Sequence, residues 1–511
     1  MMRSIRAVRI AVVLAIAALA VSACTFAGGS TTATKDQVVI SMQFPPKSNW
    51  ALETDDAFIL SQVGCLETLV RYNDRSGQLE PGLATKWTQT QPTAWDFTLR
   101  DGVKFQNGTE LTAQNVSSAL TTVLRAETPA RAFKPSVVTS VKALDAHTVR
   151  VTSPEPSPLI PFRLASVNTG ILAPQAYKKS GIDPIGTCTG PFTATQYTSG
   201  QSLKLKRNDA YWGTKAVLSG AEAQFVPEGA TRATQVQTGE ADIAMAVPAA
   251  SQADLSNNKD VVVSRAVAPR TTGLYFNTSK APFSNPAVRR AVQLALNLDQ
   301  IASQVYDGSA KPAGGPFAPG EPWAPDTKPV AQQTEQAIAL LKGAGIAPGQ
   351  ISIELLGYVE RSEFADLATV VQASLAKIGI KVKVRIADYA ALEPSLLDGS
   401  FDLALLSRNH LVDIADPSGF LSSDYTCKGS FNISHYCDAE TDALIASAAG
   451  QPEAKARNAI YAKVAQRLQE QAATVFLVHE QTTAAVRSNV KNFVDDPLSR
   501  FAITPDLSLA G

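Results

Sequence analysis

The chain has 511 residues, 45% of them hydrophobic and 18% charged, with 46 basic residues balanced by 46 acidic ones. That length exceeds the roughly 250–300 residues at which a single core stops growing, so more than one compact unit is expected, and the apolar content excludes a disordered chain. A formal net charge of zero provides no broad field for polyanions, which sets nucleic acid aside as a partner.

Arg3, Arg6 and Arg9 precede an apolar run from Ile10 to Val21, twelve residues and too short to span a bilayer. Residues 1–23 therefore read as a signal peptide that is removed on export. The run ends in Val21-Ser22-Ala23-Cys24, which resembles the lipobox of bacterial lipoproteins, where small residues precede a Cys that is lipidated and becomes residue one. An ordinary secretory cleavage site that happens to contain Cys is the duller alternative. Residues 24–36, rich in Gly, Ser, Thr and Ala, suit a flexible tether that holds a folded body off the membrane. The protein is expected outside the cytoplasm, anchored through Cys24.

Residues 36–110 read as strands and turns. Trp95, Phe97 and Leu99 alternate with polar residues, Asp101-Gly102 turns, and Val103 and Phe105 resume the alternation, which predicts a hairpin. Asn285-Pro286 caps and opens a helix whose apolar positions Val288, Ala291, Val292, Ala295, Leu298, Ala302 and Val305 fall three or four apart.

From residue 351 the elements alternate. A strand at Ile351–Leu356 is followed by a helix over about 361–378, with Phe364, Leu367, Ala368, Val371, Leu375 and Ile378 on one stripe and Gly379 as its stop. Ile380, Val382, Val384 and Ile386 then make a second strand, a short helix covers about 389–398, and Phe401–Leu406 makes a third strand. Such β-α-β-α-β units form parallel sheets whose ligands bind beyond the carboxyl ends of the strands. The segment leaving the third strand is Ser407-Arg408-Asn409-His410-Leu411-Val412-Asp413, so Arg408, Asn409, His410 and Asp413 are candidate ligand-binding residues. Trp50 and Arg361 join them as candidates. A helix over about 453–473 and an apolar strand at Val475–Val478 close the pattern.

With Cys24 set aside, Cys65, Cys188, Cys427 and Cys437 remain, an even number in an exported chain. Three pairings are possible. Cys427 and Cys437 stand ten positions apart in a polar segment, so loop closure favours that pair and leaves Cys65 with Cys188. A rival reading takes Cys427, His435 and Cys437 as metal ligands, although a fourth ligand and the CxxC spacing are missing.

No zinc-protease, nucleophile-elbow, phosphate-loop or dinucleotide motif is present in the sequence. Ser374-Leu-Ala-Lys377 matches an S-x-x-K pattern but lies mid-helix without its SDN and KTG partners. With four histidines and no suggestively spaced carboxylate pair, neither an enzyme nor a cofactor-dependent protein is expected.

A series of short motifs resembles the dipeptide/oligopeptide group, family 5, of the bacterial extracellular solute-binding proteins that serve ABC importers. Leu66-Glu-Thr-Leu69 with Pro81-Gly-Leu-Ala-Thr-Lys-Trp87 resembles the family's opening, and Trp95 to Phe105 with Asn107-Gly108 and Leu111-Thr-Ala113 is similar to the stretch that follows. Gly190-Pro191-Phe192 with Arg207-Asn208 and Tyr211-Trp212, then Gly239-Glu-Ala-Asp-Ile243, Pro282-Phe283 with Val288-Arg289-Arg290-Ala291, and Ile378-Gly379-Ile380 with Asp416-Pro417 keep the same order.

The resemblance implies an α/β, two-lobed periplasmic-binding-protein-like fold, large type II and cluster C, closing on its ligand about a hinge. Residues 37–268 would form the first lobe, 269–479 the second, and 480–511 a return to the first. It implies a monomer that binds a peptide or similar amphoteric solute and delivers it to an ABC permease and its ATPase. The segment resembling the family's places Asp413 on the acidic residue that holds a peptide's amino terminus. The helix that carries a carboxylate-binding Arg in dipeptide-binding members has Ala365-Asp366 at the matching place, so Arg361 or Arg408 would have to substitute. The usual Gly-Thr-Gly-Pro appears as Gly186-Thr-Cys-Thr-Gly190-Pro191, and Ser418 stands after Asp416-Pro417 where nickel-binding members have His. A surface receptor, chaperone or adhesin built on the same fold, and import of a metal chelate, are the alternatives.

Overall fold

The computed structural model describes residues 36–510 apart from Arg75 and Val412. The signal peptide, the lipobox Cys24 and all of the tether before Asp36 lie outside the described residues. No helix among the described residues is long and apolar enough to cross a membrane.

Eleven of the described strands form one mixed sheet. In spatial order it runs Phe192–Thr198, Ser202–Arg207, Gly220–Phe225, Gln37–Met42, Ile243–Met245, Thr474–Arg487, Val261–Phe276, Leu403–Asn409, Ser352–Tyr358 and Lys381–Ala387, with Ala310–Pro312 paired to Thr474–Arg487. The two long central strands, Val261–Phe276 and Thr474–Arg487, pair antiparallel along most of their length and join the two ends of the sheet. Their register slips between Val267 and Thr271, leaving Ala268, Pro269 and Arg270 outside that ladder. Pro269 has no N–H to donate, and a break of this kind bends a strand and increases its twist. The expected lobe limits at 268 and 479 fall inside these two strands.

The fold is two-lobed, and its apolar cores do not divide at residues 268 and 479. One core runs through Val38, Ile40, Phe97, Leu120, Phe192 and Phe225, and another gathers Phe276, Val292, Leu355, Phe364, Val371 and Leu405. The first core continues through Phe317 and Trp323 into Phe420, Tyr425 and Tyr461. Ala132 and Leu159 also pack on Ile414, so early and late segments of the chain touch.

The β-α-β-α-β unit has the expected order. Strands Ser352–Tyr358 and Lys381–Ala387 pair in parallel, and Leu403–Asn409 pairs in parallel with the first of them. The crossover helix is Phe364–Lys377, and Gly379 follows it at φ +79°, the left-handed region a helix stop requires. Helix Tyr389–Asp398 ends in the same way at Gly399.

Two expected elements differ. The hairpin forms one strand earlier: Ala84–Gln91 pairs with Ala94–Leu99, and beyond Asp101-Gly102 the Val103–Phe105 stretch makes only an isolated Lys104–Glu110 bridge. Val103 and Phe105 alternate because both are buried, not because they pair with Trp95 and Phe97. The helix opened by Asn285, whose Oδ1 accepts from the Ala287 N–H at 2.9 Å, stops at Ala295. Asn297 then caps a second helix, Leu298–Gln304, by accepting from the Gln300 N–H at 2.9 Å. An Asn side chain competes for backbone donors, which explains the break inside one continuous apolar stripe.

Cys65 bonds to Cys188 and Cys427 to Cys437, with Cα separations of 5.5 and 4.3 Å. The second bond occupies both thiols of the metal reading through His435, and no group of three or more His, Cys, Asp or Glu side chains among the described residues is placed to hold a metal ion.

Candidate functional site

The carboxyl ends of the parallel strands deliver side chains into an open cavity of about 410 Å³. Strand Leu403–Asn409 supplies Leu406, Ser407 and Arg408, and strand Ser352–Tyr358 supplies Tyr358, followed by Glu360. Helix Tyr389–Asp398 adds Tyr389 and Glu393, and Phe431 and Arg131 complete the wall. Tyr358 and Tyr389 meet edge to face at 5.2 Å, giving a stiff aromatic side. Glu360 accepts from the Tyr389 N–H with both oxygens at 3.1 Å, and Glu393 accepts from the Tyr389 hydroxyl at 3.1 Å. Burial, reinforced by Glu393, raises the Tyr389 pKa and keeps the phenol a donor.

Arg408 is already engaged. Its Nε and Nη2 donate to the two Asp424 oxygens at 2.6 and 2.9 Å, and its guanidinium stacks 4.1 Å from the Phe431 ring centre. Burial opposes its charge, but the Asp424 carboxylate prevails and raises the pKa. Arg361 is engaged as well. It donates to Ser407 Oγ at 2.8 Å, pairs with Glu363 at 3.2 Å and contacts Glu480. Glu480 also accepts from Thr272 Oγ1 and from Ser407 Oγ, each at 2.6 Å. Burial alone would raise the Glu480 pKa, yet Arg361 and then Arg270 lower it to about 2. This cluster ties the two long central strands to strand Leu403–Asn409.

A much smaller recess of about 10 Å³, room for one water-sized group, adjoins the first, with Arg408 in both walls, and Asn409, His410 and Asp413 line it. Asp413 keeps 29% of its side chain exposed and lies 3.9 Å from Arg131. Asn409 Oδ1 accepts from the Leu411 N–H at 2.9 Å, shaping the turn. His410 is buried, with Nε2 2.8 Å from Glu321 and its ring against Phe317, while Nδ1 has no partner among the described residues. Asp416 is a buried wall residue of the recess: it accepts from the Ser418 N–H at 2.9 Å just ahead of helix Ser418–Asp424, whose N-cap is Pro417, from the Tyr461 hydroxyl at 2.8 Å and from Arg457 at 3.1 Å.

Arg408, Asn409, His410 and Asp413 thus come together, whereas Arg361 reaches Ser407, the residue before Arg408, and lines neither space. Trp50 does not join them. It is 5% exposed in the first core, its ring edge on to Tyr197 at 5.0 Å and its backbone N–H donated to Asp56 at 3.0 Å. The sequence reading missed Arg131, Tyr358, Glu360, Tyr389, Arg270 and Glu480. Tyr358 and Glu360 carried the same signal as Arg408, since they too end a strand of the parallel unit.

A family profile described as bacterial extracellular solute-binding proteins, family 5 middle, matches residues 78–432. The chain belongs to that family. A probable D,D-dipeptide-binding periplasmic protein of Escherichia coli strain K12 is 27% identical over 481 residues, covering 91% of this chain and 92% of the relative. Among solved structures, a nickel ABC transporter protein of Bacillus halodurans superposes with a TM-score of 0.82 at 26% identity, covering 93% of this chain and 100% of that one. The protein DppA of Helicobacter pylori, in complex with the peptide STSA, superposes with a TM-score of 0.74 at 25% identity, covering 93% and 98%. Members of this family are solute-binding components of transport systems, and the protein is such a component.

Proposed function

We propose that the protein captures a small amphoteric solute, a peptide or a close relative of one, between its two lobes and hands it to an ABC permease driven by its ATPase. The observation that carries this reading is the mixed charge of the larger cavity, where Arg131 and Arg408 stand with Glu360 and Glu393 around the Tyr358–Tyr389 wall. A zwitterion finds both signs there, and aromatic rings can cover its apolar parts. Asp413, in the adjoining recess, is the proposed seat of the ligand's ammonium group, with Asn409 and His410 beside it; Arg408 and Arg361, proposed from the sequence as ligand residues, are held by Asp424 and by Glu480 and Glu363.

The lobes are taken as 37–268 with 480–511, and 269–479. The register slip between Val267 and Thr271 supports a hinge there. Anchoring through a lipidated Cys24 would keep the body beside its permease, and a monomer suffices for that task. A metal chelate is the second reading, favoured by the likeness to the Bacillus halodurans nickel protein. Calorimetry with matched peptides and with nickel–histidine complexes separates the two. Saturable peptide binding with no heat from the nickel complex is the expected result, and the reverse pattern would replace the first reading with the second.

A further inference from the structure

Arg270 sits in strand Val261–Phe276 at the register slip, opposite Asn409 and two positions before Thr272. Strand alternation sets Arg270, Thr272 and Ser407 on one face, and Ser407 lines the larger cavity. Three guanidinium groups gather here, and two are satisfied. Arg361 holds Glu480 and Glu363, and Arg408 holds Asp424. Glu480 in turn accepts from Arg361, Thr272 and Ser407.

Arg270 has no such partner. Among the described residues its hydrogen bond is to the neutral Ser407 hydroxyl, Nη1 to Oγ at 3.3 Å, and no carboxylate is paired with it. A guanidinium carries five N–H donors in a planar fork, so most of its donors have no acceptor among the described residues. Burial lowers its pKa, and the Glu480 carboxylate, which it does not touch, offsets that only in part. The free donors of this half-buried guanidinium are not sealed from solvent, so a group arriving from outside can reach the fork.

Resting on the peptide-capture reading above, we propose that Arg270, with the Ser407 hydroxyl, forms an anion-receiving subsite that takes a carboxylate of the solute. This subsite fills the role for which Arg361 and Arg408 are already committed elsewhere. A monoanion suits it better than a phosphate dianion, because the neighbouring Glu480 carboxylate repels the second charge. Bidentate geometry is what the free fork offers. A ligand carboxylate there would also touch the bent segment between the lobes, so occupancy and closure would be linked.

The test uses the full mature protein and a panel of di- to pentapeptides in matched free-acid and C-terminal amide forms. Wild type is expected to bind the free acids about 30-fold or more tightly than the amides, Arg270→Met to lose that preference, and Arg270→Lys to keep part of it. Equal binding of acids and amides by wild type, or an intact preference in Arg270→Met, overturns the proposal. Should Arg270→Met fail to fold, the wild-type comparison of acids with amides decides alone. If no peptide binds at all, the capture reading fails, and the subsite is judged by simple anions at matched ionic strength. Acetate raising the melting temperature of wild type but not of Arg270→Met supports it. Equal rises in both, or a larger rise with inorganic phosphate than with acetate, overturn it.

Discussion

Asp413 lies 3.9 Å from Arg131, which links a residue of the smaller recess to one in the wall of the larger cavity. Both side chains are partly exposed, so the pair itself contributes about 1 kcal/mol or less. Asp413→Asn should therefore leave thermal stability nearly unchanged while weakening binding of an ammonium-bearing ligand by about 2–5 kcal/mol. Asp416→Asn should do the opposite: it breaks a buried pair with Arg457, at a cost of about 3–5 kcal/mol in stability. Calorimetry and melting curves on both variants check the contrast. Wild-type affinity in Asp413→Asn would remove that residue from the site.

Reduction should weaken the fold through two loops of very different size. By the chain-entropy estimate, closing 10 positions between Cys427 and Cys437 contributes about 2.7 kcal/mol, and closing 123 between Cys65 and Cys188 contributes about 5 kcal/mol. Replacing the Cys65–Cys188 pair by Ser should thus lower the melting temperature more than replacing Cys427–Cys437. Peptide mapping that finds four free thiols in protein from the cell surface would contradict both bonds.

Acid should destabilise the central strands through His479. Burial, and then the nearby His410, lower its pKa from 6.5 to about 3, so the unfolded chain binds the proton more readily than the folded one. The associated stability is complete above about pH 6.5 and drains away as pH falls towards 3, on the order of a few kcal/mol. Glu480, lowered to about 2 from 4.5, adds a second loss confined to the window below about pH 4.5. Urea titrations between pH 7 and 5 separate them: His479→Gln should flatten the pH dependence in that range. An unchanged slope would show that His479 does not titrate on unfolding as described.

Cys24→Ala should release the protein from membranes or block its processing, with ligand binding by the mature body intact. Fractionation of cells expressing each form reads this out, and undiminished membrane retention of the variant would count against lipid anchoring.

Most of the second lobe's framework was legible because local pattern and tertiary role agree. Ile380, Val382, Val384 and Ile386 alternate along a strand, and Phe364, Leu367, Val371 and Leu375 mark the buried face of the crossover helix. The hairpin was misplaced because Val103 and Phe105 are buried without being paired. Of the site, the carboxyl-end rule led to Arg408, Asn409, His410 and Asp413. It did not show that Asp424 occupies Arg408 or that Glu321 faces His410, since both partners belong to other elements. Arg270 and Glu480 were illegible for the same reason: they converge only because two long strands, roughly two hundred residues apart in sequence, run side by side. Trp50, a candidate ligand residue in the sequence, lies instead in the first core, where its neighbours include Tyr197 and Asp56.

Capture of an amphoteric solute in the cleft is tested most directly by native mass spectrometry of the protein isolated from its own cell membranes, with and without subsequent exposure to a hydrolysate of free peptides. The expected spectrum shows one stoichiometric adduct carrying both an amino and a carboxyl group, absent or strongly reduced in Asp413→Asn prepared in the same way. A protein that emerges empty and takes up nothing from the hydrolysate, or an adduct that lacks a cationic group and persists in Asp413→Asn, would contradict it.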